Sequence, residues 1–131
     1  MVMLDTNICI YILKNAPPQV RERMKAARQI LISSVVYAEL RFGVERSPEH
    51  LQEARHTQLL QFVSLLTVVD WDRAAADEYA RIRASLQAQG QMIGNMDMLI
   101  AAHARSLDEM LVSNNIKEFE RVEGLRLENW V

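Results

Sequence analysis

The sequence holds a single cysteine, Cys9, in 131 residues. One thiol excludes an internal disulfide framework and a Cys-based zinc site, and it fits a reducing compartment, most simply the cytoplasm. Four glycines and three prolines are too few for a collagen-like or low-complexity chain. Long apolar runs are missing as well. The longest, Phe62 to Val69, is interrupted by Ser64 and Thr67 and falls far short of the ~20 residues that span a bilayer. No basic segment precedes Asp5, so the first residues do not read as a signal peptide and no membrane association is expected. A dominant charge is lacking too. The net charge is −2, and bulk electrostatics do not mark a nucleic-acid binder.

What is present is a half-hydrophobic composition with 24% charged residues and no repeats or linkers, which indicates one domain over residues 1–131. A chain of this length buries roughly two-thirds of its unfolded surface and needs no staples. Its charge is uneven. Residues 1–28 carry Lys14, Arg21, Arg23, Lys25 and Arg28 against Asp5 and Glu22, a pattern that suits a local basic face and equally a solvated helix.

Short apolar runs alternate with longer helical ones. Val2-Met3-Leu4, Ile30-Leu31-Ile32, Thr67-Val68-Val69, Met110-Leu111-Val112 and Leu125-Arg126-Leu127 read as strands. Helices are expected over Ile8–Leu13 (ended near Pro17-Pro18), 18–28, from Ser33-Ser34 to Val44, from Ser47-Pro48 to about Leu66, over Arg73–Gln89 and from about Met96 to Leu107. A helical turn is expected near Lys117-Glu118-Phe119. Asp72 caps the long helix and Gly90 ends it. Strands apolar over their whole length and separated by helices indicate an α/β fold with a mostly parallel, approximately five-stranded sheet covered on both faces. Functional groups in such sheets gather beyond the strands' carboxyl ends, where Asp5 and Ser113-Asn114-Asn115 fall.

Most acids have a cation three or four residues away, the usual pairing of a surface helix: Glu22 has Lys25, Asp77 and Glu78 have Arg81, Glu118 has Arg121. Three acids do not. Glu39 has Val35, Val36, Phe42 and Gly43 as its helical neighbours, Asp97 faces Ile100 and Ala101, and Asp5 meets no basic residue before Lys14. Asp5 has a second reading as a helix cap, Asp97 as a first-turn acid favoured by the helix dipole, and Glu39 as the partner of a distant arginine. Burying a carboxylate without a partner costs several kcal/mol or more, so something must compensate. A hard divalent ion, Mg²⁺ with Mn²⁺ as a substitute, serves all three at once, and phosphodiester hydrolysis is the chemistry such a cluster suits.

Taken in order, Met3-Leu4-Asp5-Thr6-Asn7, Ile32-Ser33-Ser34 through Ala38-Glu39-Leu40 with Gly43, Gln89-Gly90, Ile93-Gly94, Asp97-Met98-Leu99-Ile100-Ala101-Ala102-His103-Ala104, Leu111-Val112-Ser113-Asn114-Asn115 and Glu118-Phe119 form a series with characteristic intervals. The chain resembles the PIN-domain ribonucleases, specifically the VapC toxins of type II toxin–antitoxin modules, over essentially its whole length. The resemblance implies a PIN-like α/β/α sandwich in which Asp5 and Asp97 are the principal Mg²⁺ ligands. Glu39 binds directly or through water, and Thr6 supports Asp5. Many PIN domains carry a fourth acid after the fourth strand, a position where this chain has no acid. Either Asn115 is a neutral ligand there or Glu118 reaches the site one turn later, and the departure favours one ion over two. The resemblance further implies a homodimer, a VapB-type antitoxin, structured RNA with tRNA as the leading substrate class, and inhibition of translation through its cleavage. Lys14, Arg21, Arg23, Lys25 and Arg28, with Arg41 and Arg46 adding to them, are the implied RNA contacts.

His103 reads as a packed histidine, Cys9 as a buried thiol, Trp71 and Trp130 as packing anchors, and Met92, Met96 and Met98 as core or groove filling. Two other functions compete. A haloacid-dehalogenase-like phosphatase also places an acid after its first strand, but it wants a second aspartate where this chain has Asn7. A catalytically weak dimer that binds RNA or antitoxin without cutting is the other.

Overall fold

Backbone groups buried on both faces of a sheet need neighbouring strands, and the apolar triplets supply them. The computed structural model describes residues 1–15 and 18–131. Its strands are β1 (Val2–Leu4), β2 (Ile30–Ser33), β3 (Thr67–Val69), β4 (Met110–Val112) and β5 (Leu127–Glu128). All four neighbouring pairs are parallel, in the order β3-β2-β1-β4-β5. Every residue of β2 is buried, whereas the edge strands β3 and β5 are partly exposed. Helices therefore cover both faces, giving the α/β/α sandwich.

The helices are α1 (Thr6–Asn15), α2 (Pro18–Ala26), α3 (Ser34–Glu45), α4 (Glu49–Val63), α5 (Arg73–Gln89), α6 (Asn95–Ser106) and the short α7 (Ile116–Phe119). Their starts follow the capping chemistry of the sequence. Ser33 Oγ accepts the Val35 N–H at 3.1 Å and Asp72 accepts that of Ala75 at 3.0 Å, each satisfying an amide with no partner inside its helix. Gly90 ends α5 at φ 64°, a left-handed conformation that a side chain disfavours. Ser47-Pro48 opens α4 as expected. Pro48 takes the cap position without a side-chain bond, and Ser47 Oγ donates back to the Gly43 carbonyl at 2.8 Å.

Other boundaries shift by a turn or less. α2 stops at Ala26 and α4 at Val63, where Ser64 Oγ donates to the Gln61 carbonyl. β5 begins at Leu127 because Leu125 is still in a turn, its N–H bonded to the Val122 carbonyl behind Gly124 at φ 78°. Pro17, expected to end the first helix, lies outside the described residues, and Pro18 opens α2. Among the described residues no helix is long and apolar enough to cross a membrane.

The strand order places the site. The chain builds outward from β1 through β2 to β3, then returns to lay β4 and β5 on the other side of β1. The order reverses between β1 and β4, and ligand crevices of open parallel sheets form beyond the carboxyl ends at such a point. Asp5 follows β1 and Ser113 follows β4. Trp71 and Trp130 are anchors as expected: Trp71 Nε1 donates to the Leu99 carbonyl at 2.9 Å, its ring meets Tyr79 edge-on, and Trp130 is buried. His103 is fully buried, its Nδ1 2.8 Å from Ser33 Oγ, and burial lowers its pKa. Met98 belongs to the core, while Met92 and Met96 are exposed.

Candidate active site

Asp5 caps α1, and that role leaves it available for another. One carboxylate oxygen accepts the Ile8 N–H at 2.8 Å and the other the Ser113 hydroxyl at 2.5 Å, with the residue 2% exposed. Each oxygen has two acceptor positions, so the capping bonds orient the group without exhausting it. Ser113 also accepts the Asn115 N–H at 2.9 Å, which ties the turn after β4 to the acid after β1. Burial raises the pKa of Asp5, the bonds from Ser113 and Ile8 lower it, and the charge of Glu39 raises it, with a net upward result.

Glu39 lies on α3, where its Oε1 accepts the Thr6 hydroxyl at 2.5 Å. Thr6 thus holds Glu39, whereas the resemblance had assigned it to Asp5. Asp97 sits in the first turn of α6, whose cap position, Gly94, offers no side chain. Its pKa is pushed up to about 7, chiefly by burial, then by a hydrogen bond shared with Glu118 and by the charges of Glu118, Asp5 and Glu39. Carboxylates from four separate stretches of chain therefore feel one another. The fourth acid is Glu118, from α7 one turn beyond the end of β4, while Asn115 is exposed and engaged through its backbone.

Among the described residues nothing neutralises these acids. None of the ion pairs between described residues involves Asp5, Glu39, Asp97 or Glu118. Arg121, expected beside Glu118, donates instead to the Met92 carbonyl at 3.0 Å; it lies past the end of α7, where helical spacing no longer places i and i+3 on one face. As they stand, no three His, Cys, Asp or Glu side chains among the described residues are close enough to hold one ion. Like charges about 4 Å apart repel by ~1 to 4 kcal/mol at effective dielectrics of 80 to 20, which opposes tighter approach without a cation. The donor set itself is hard oxygen only, the kind that Mg²⁺ and Mn²⁺ take. Space is kept beside it: a Cβ on Gly94 would lie 3.4 Å from Asp97 Oδ2.

Asp5, Glu39 and Asp97 line one cleft of about 860 Å³, walled by α1, α3 and the middle of α4. Lys14 lines it as well. The remaining candidate RNA contacts are scattered. Arg23 pairs with Glu128, Arg41 with Glu45, and Arg21, Lys25 and Arg28 are exposed on or just after α2. Arg28 lies beside Ile30 and Thr67, at the amino ends of β2 and β3, the opposite end of the sheet from Asp5. Sequence reasoning missed Ser113 as the holder of Asp5, although a hydroxyl directly after an apolar strand was the available signal. It also missed Arg55, which joins Lys14 and Arg46 on the cleft wall.

Known proteins resemble this chain. The PIN domain family matches residues 2–125. A tRNA(fMet)-specific endonuclease VapC from Shigella flexneri is 47% identical over 129 residues, covering 98% of this chain and 96% of the relative. Ribonuclease VapC2 of Haemophilus influenzae is 45% identical over 130 residues, with 98% and 97% covered. Among solved structures, DNA-bound VapBC from Salmonella typhimurium superposes with a TM-score of 0.95 at 40% identity, covering all of both chains. Asn7 in place of the phosphatase's second aspartate agrees with that likeness. The chain belongs to the PIN-domain family and, within it, to the VapC ribonucleases.

Proposed function

We propose that this protein is a Mg²⁺-dependent endoribonuclease, the toxin of a VapB–VapC pair, which cuts structured RNA of the tRNA class and thereby stops translation. The single observation that carries the reading is that Asp5, Glu39 and Asp97 line one cleft, with Glu118 beside Asp97, and that none of the four forms an ion pair with any described residue. The tRNA class is supported by the Shigella relative's name, and an antitoxin partner by the solved VapBC complexes. A homodimer is part of the same proposal.

Asp5, Asp97, Glu39 and Glu118 would hold the ion, which when bound supplies positive charge at the scissile phosphate and lowers the pKa of water. The chain's own groups prepare for this. Ser113 and the Ile8 amide fix both oxygens of Asp5, and Thr6 fixes Glu39 from the first residue of α1. Supporting bonds of this kind cut the freedom a ligand loses on binding and are worth roughly 10–100-fold in metal affinity or activity. Asp97, its pKa pushed up to about 7, is the carboxyl that would give up a proton to hold the ion. Glu39, half-buried and hydrogen-bonded on one oxygen, keeps a second oxygen to orient a water.

The test is cleavage of tRNA by the chelator-treated protein with and without added Mg²⁺ or Mn²⁺. Cutting that returns only with the metal is the expected result. Cutting that persists in chelator overturns the metal dependence. RNA that stays intact with metal supplied leaves the non-cleaving dimer in place of the nuclease.

A further inference from the structure

The cleft that holds the acids also holds cations, and they lie at its far end. α1 runs along one wall from Asp5 to Lys14, nine residues or ~13 Å of helix. α3 runs along the other from Glu39 to Arg46, seven residues or ~10 Å. Arg55 of α4 completes the basic end, and Gln58 closes it by donating to the Leu13 carbonyl at 2.9 Å. Five of the chain's ten other arginines, Arg23, Arg41, Arg81, Arg105 and Arg126, pair with a carboxylate. Lys14, Arg46 and Arg55 form no ion pair with any described residue.

Two of the three cations are held in place all the same. Arg55 donates to Ser47 Oγ at 2.8 Å, and the Arg46 guanidinium lies 5.7 Å from the centre of the Phe42 ring. A guanidinium has five N–H donors, so each keeps most of its donors for a ligand. Lysine or arginine near a helix C-terminus also answers the helix dipole, but that role explains neither Arg55, in the middle of α4, nor the ring beneath Arg46. Phe42 is 65% exposed and Ile10 37%, and both line the cleft between its two ends. An exposed ring next to unpaired cations is the combination that binds single-stranded nucleic acid, the base on the ring and the phosphates on the cations.

The geometry points to a nucleotide-binding track: Lys14, Arg46 and Arg55 grip the RNA phosphates next to the one that is cut, and Phe42 carries a base between them. The inference rests on the nuclease reading and adds a direction to it, with the strand entering from the α4 side and running toward the acids. It also shifts the weight of RNA binding from α2, whose last turn leads to the opposite end of the sheet, to the cleft wall.

The experiment compares Lys14→Gln/Arg46→Gln/Arg55→Gln with the full chain in two assays. In the first, Mg²⁺-supplied cleavage of tRNA is expected to show a KM raised at least tenfold with kcat nearly unchanged. In the second, a fluorescein-labelled single-stranded RNA is titrated, with cleavage silenced by Asp97→Asn in both backgrounds. The dependence of log affinity on log salt is expected to flatten by about 2, from ~0.7 per lost single-strand phosphate contact. Phe42→Ala is expected to weaken binding without changing that slope. An unchanged KM and slope overturn the track while leaving the nuclease intact, and so does an equal or larger loss from Lys25→Gln/Arg28→Gln. RNA left uncut by the parent protein overturns the nuclease reading, and the binding assay still decides the track. Unchanged RNA binding with impaired capture of an antitoxin assigns the basic end to the protein partner and overturns the proposal.

Discussion

Glu78 on α5 and Asp97 on α6 are carboxylates on two helices that pack against each other, and they meet opposite company. Glu78 is held by Arg105 at 2.6 Å and by Arg81 at 3.1 Å. Asp97 meets Glu118, Asp5 and Glu39, and its pKa rises to about 7. Arg105 belongs to the same helix as Asp97, so α6 delivers a cation to its neighbour's acid and none to its own. The difference separates two uses of an acid. One is neutralised within the fold and holds two helices together; the other is left without a cation at a switch point of the sheet, open to one from outside.

The comparison breaks hardest at Asp97. Asp97→Asn is expected to lower metal-dependent cleavage by more than the roughly 10–100-fold that an outer partner contributes, with circular dichroism unchanged. Full activity in the variant, or loss of the folded state, would assign Asp97 a structural role like that of Glu78. Thr6→Val comes next. It leaves Glu39 in place and removes only the hydroxyl at 2.5 Å, so Mn²⁺ affinity or kcat should fall by roughly 10–100-fold, with Thr6→Ser restoring most of it. Glu78→Gln is the mirror image of Asp97→Asn. Stability should drop by ~1–2 kcal/mol, since the pair is only partly exposed, and cleavage should stay within a few-fold of the parent; urea titration and RNA cleavage on one preparation read both.

How much of this was legible follows from the range of each interaction. β1, β2, β3 and β4 could be read because apolar triplets between helical stretches have few other solutions, and the caps at Ser33 and Asp72 because capping is local. Asp5, Glu39 and Asp97 stood out by lacking a cation within one helical turn, a local test that works for long helices. The same test grouped Glu118 with Arg121, because it assumes a helix that in fact ends at Phe119, and only the family resemblance kept Glu118 in view. Arg55 and Ser113 were out of reach for a different reason. Their roles depend on α4 folding back against the end of α1 and on β4 lying beside β1, contacts between residues far apart in the chain that no periodicity encodes.

A smaller effect sharpens the contrast through pH. The folded-state pKa of Asp97 lies above its unfolded value of 3.8, so the unfolded chain releases this proton first. Its contribution to the stability of the metal-free protein is complete below about pH 4 and is lost as the pH rises through about 7. Chelator-treated protein is therefore expected to lose ~1–2 kcal/mol between pH 5 and pH 8, a figure discounted for the partial exposure of the carboxyl. Asp97→Asn should flatten that slope and leave the variant more stable than the parent at pH 8. A parent protein that gains stability over the same range would contradict the crowding of acids on which the comparison stands.

The smallest expected effect lies at Gly94, and it isolates space from charge. The residue sits at φ −56° and ψ 145°, a conformation alanine adopts freely, so Gly94→Ala introduces no backbone strain and should change stability by less than about 0.5 kcal/mol. What it adds is one methyl group 3.4 Å from Asp97 Oδ2. An ion and its waters need that side of the carboxylate, whereas a carboxylate that only completes the fold does not. Mn²⁺ titration of the variant should therefore show affinity weakened a few-fold at unchanged Tm in chelator. Equal affinity for the metal would mean that the ion approaches Asp97 from another side, and a lowered Tm would mean that the glycine serves packing.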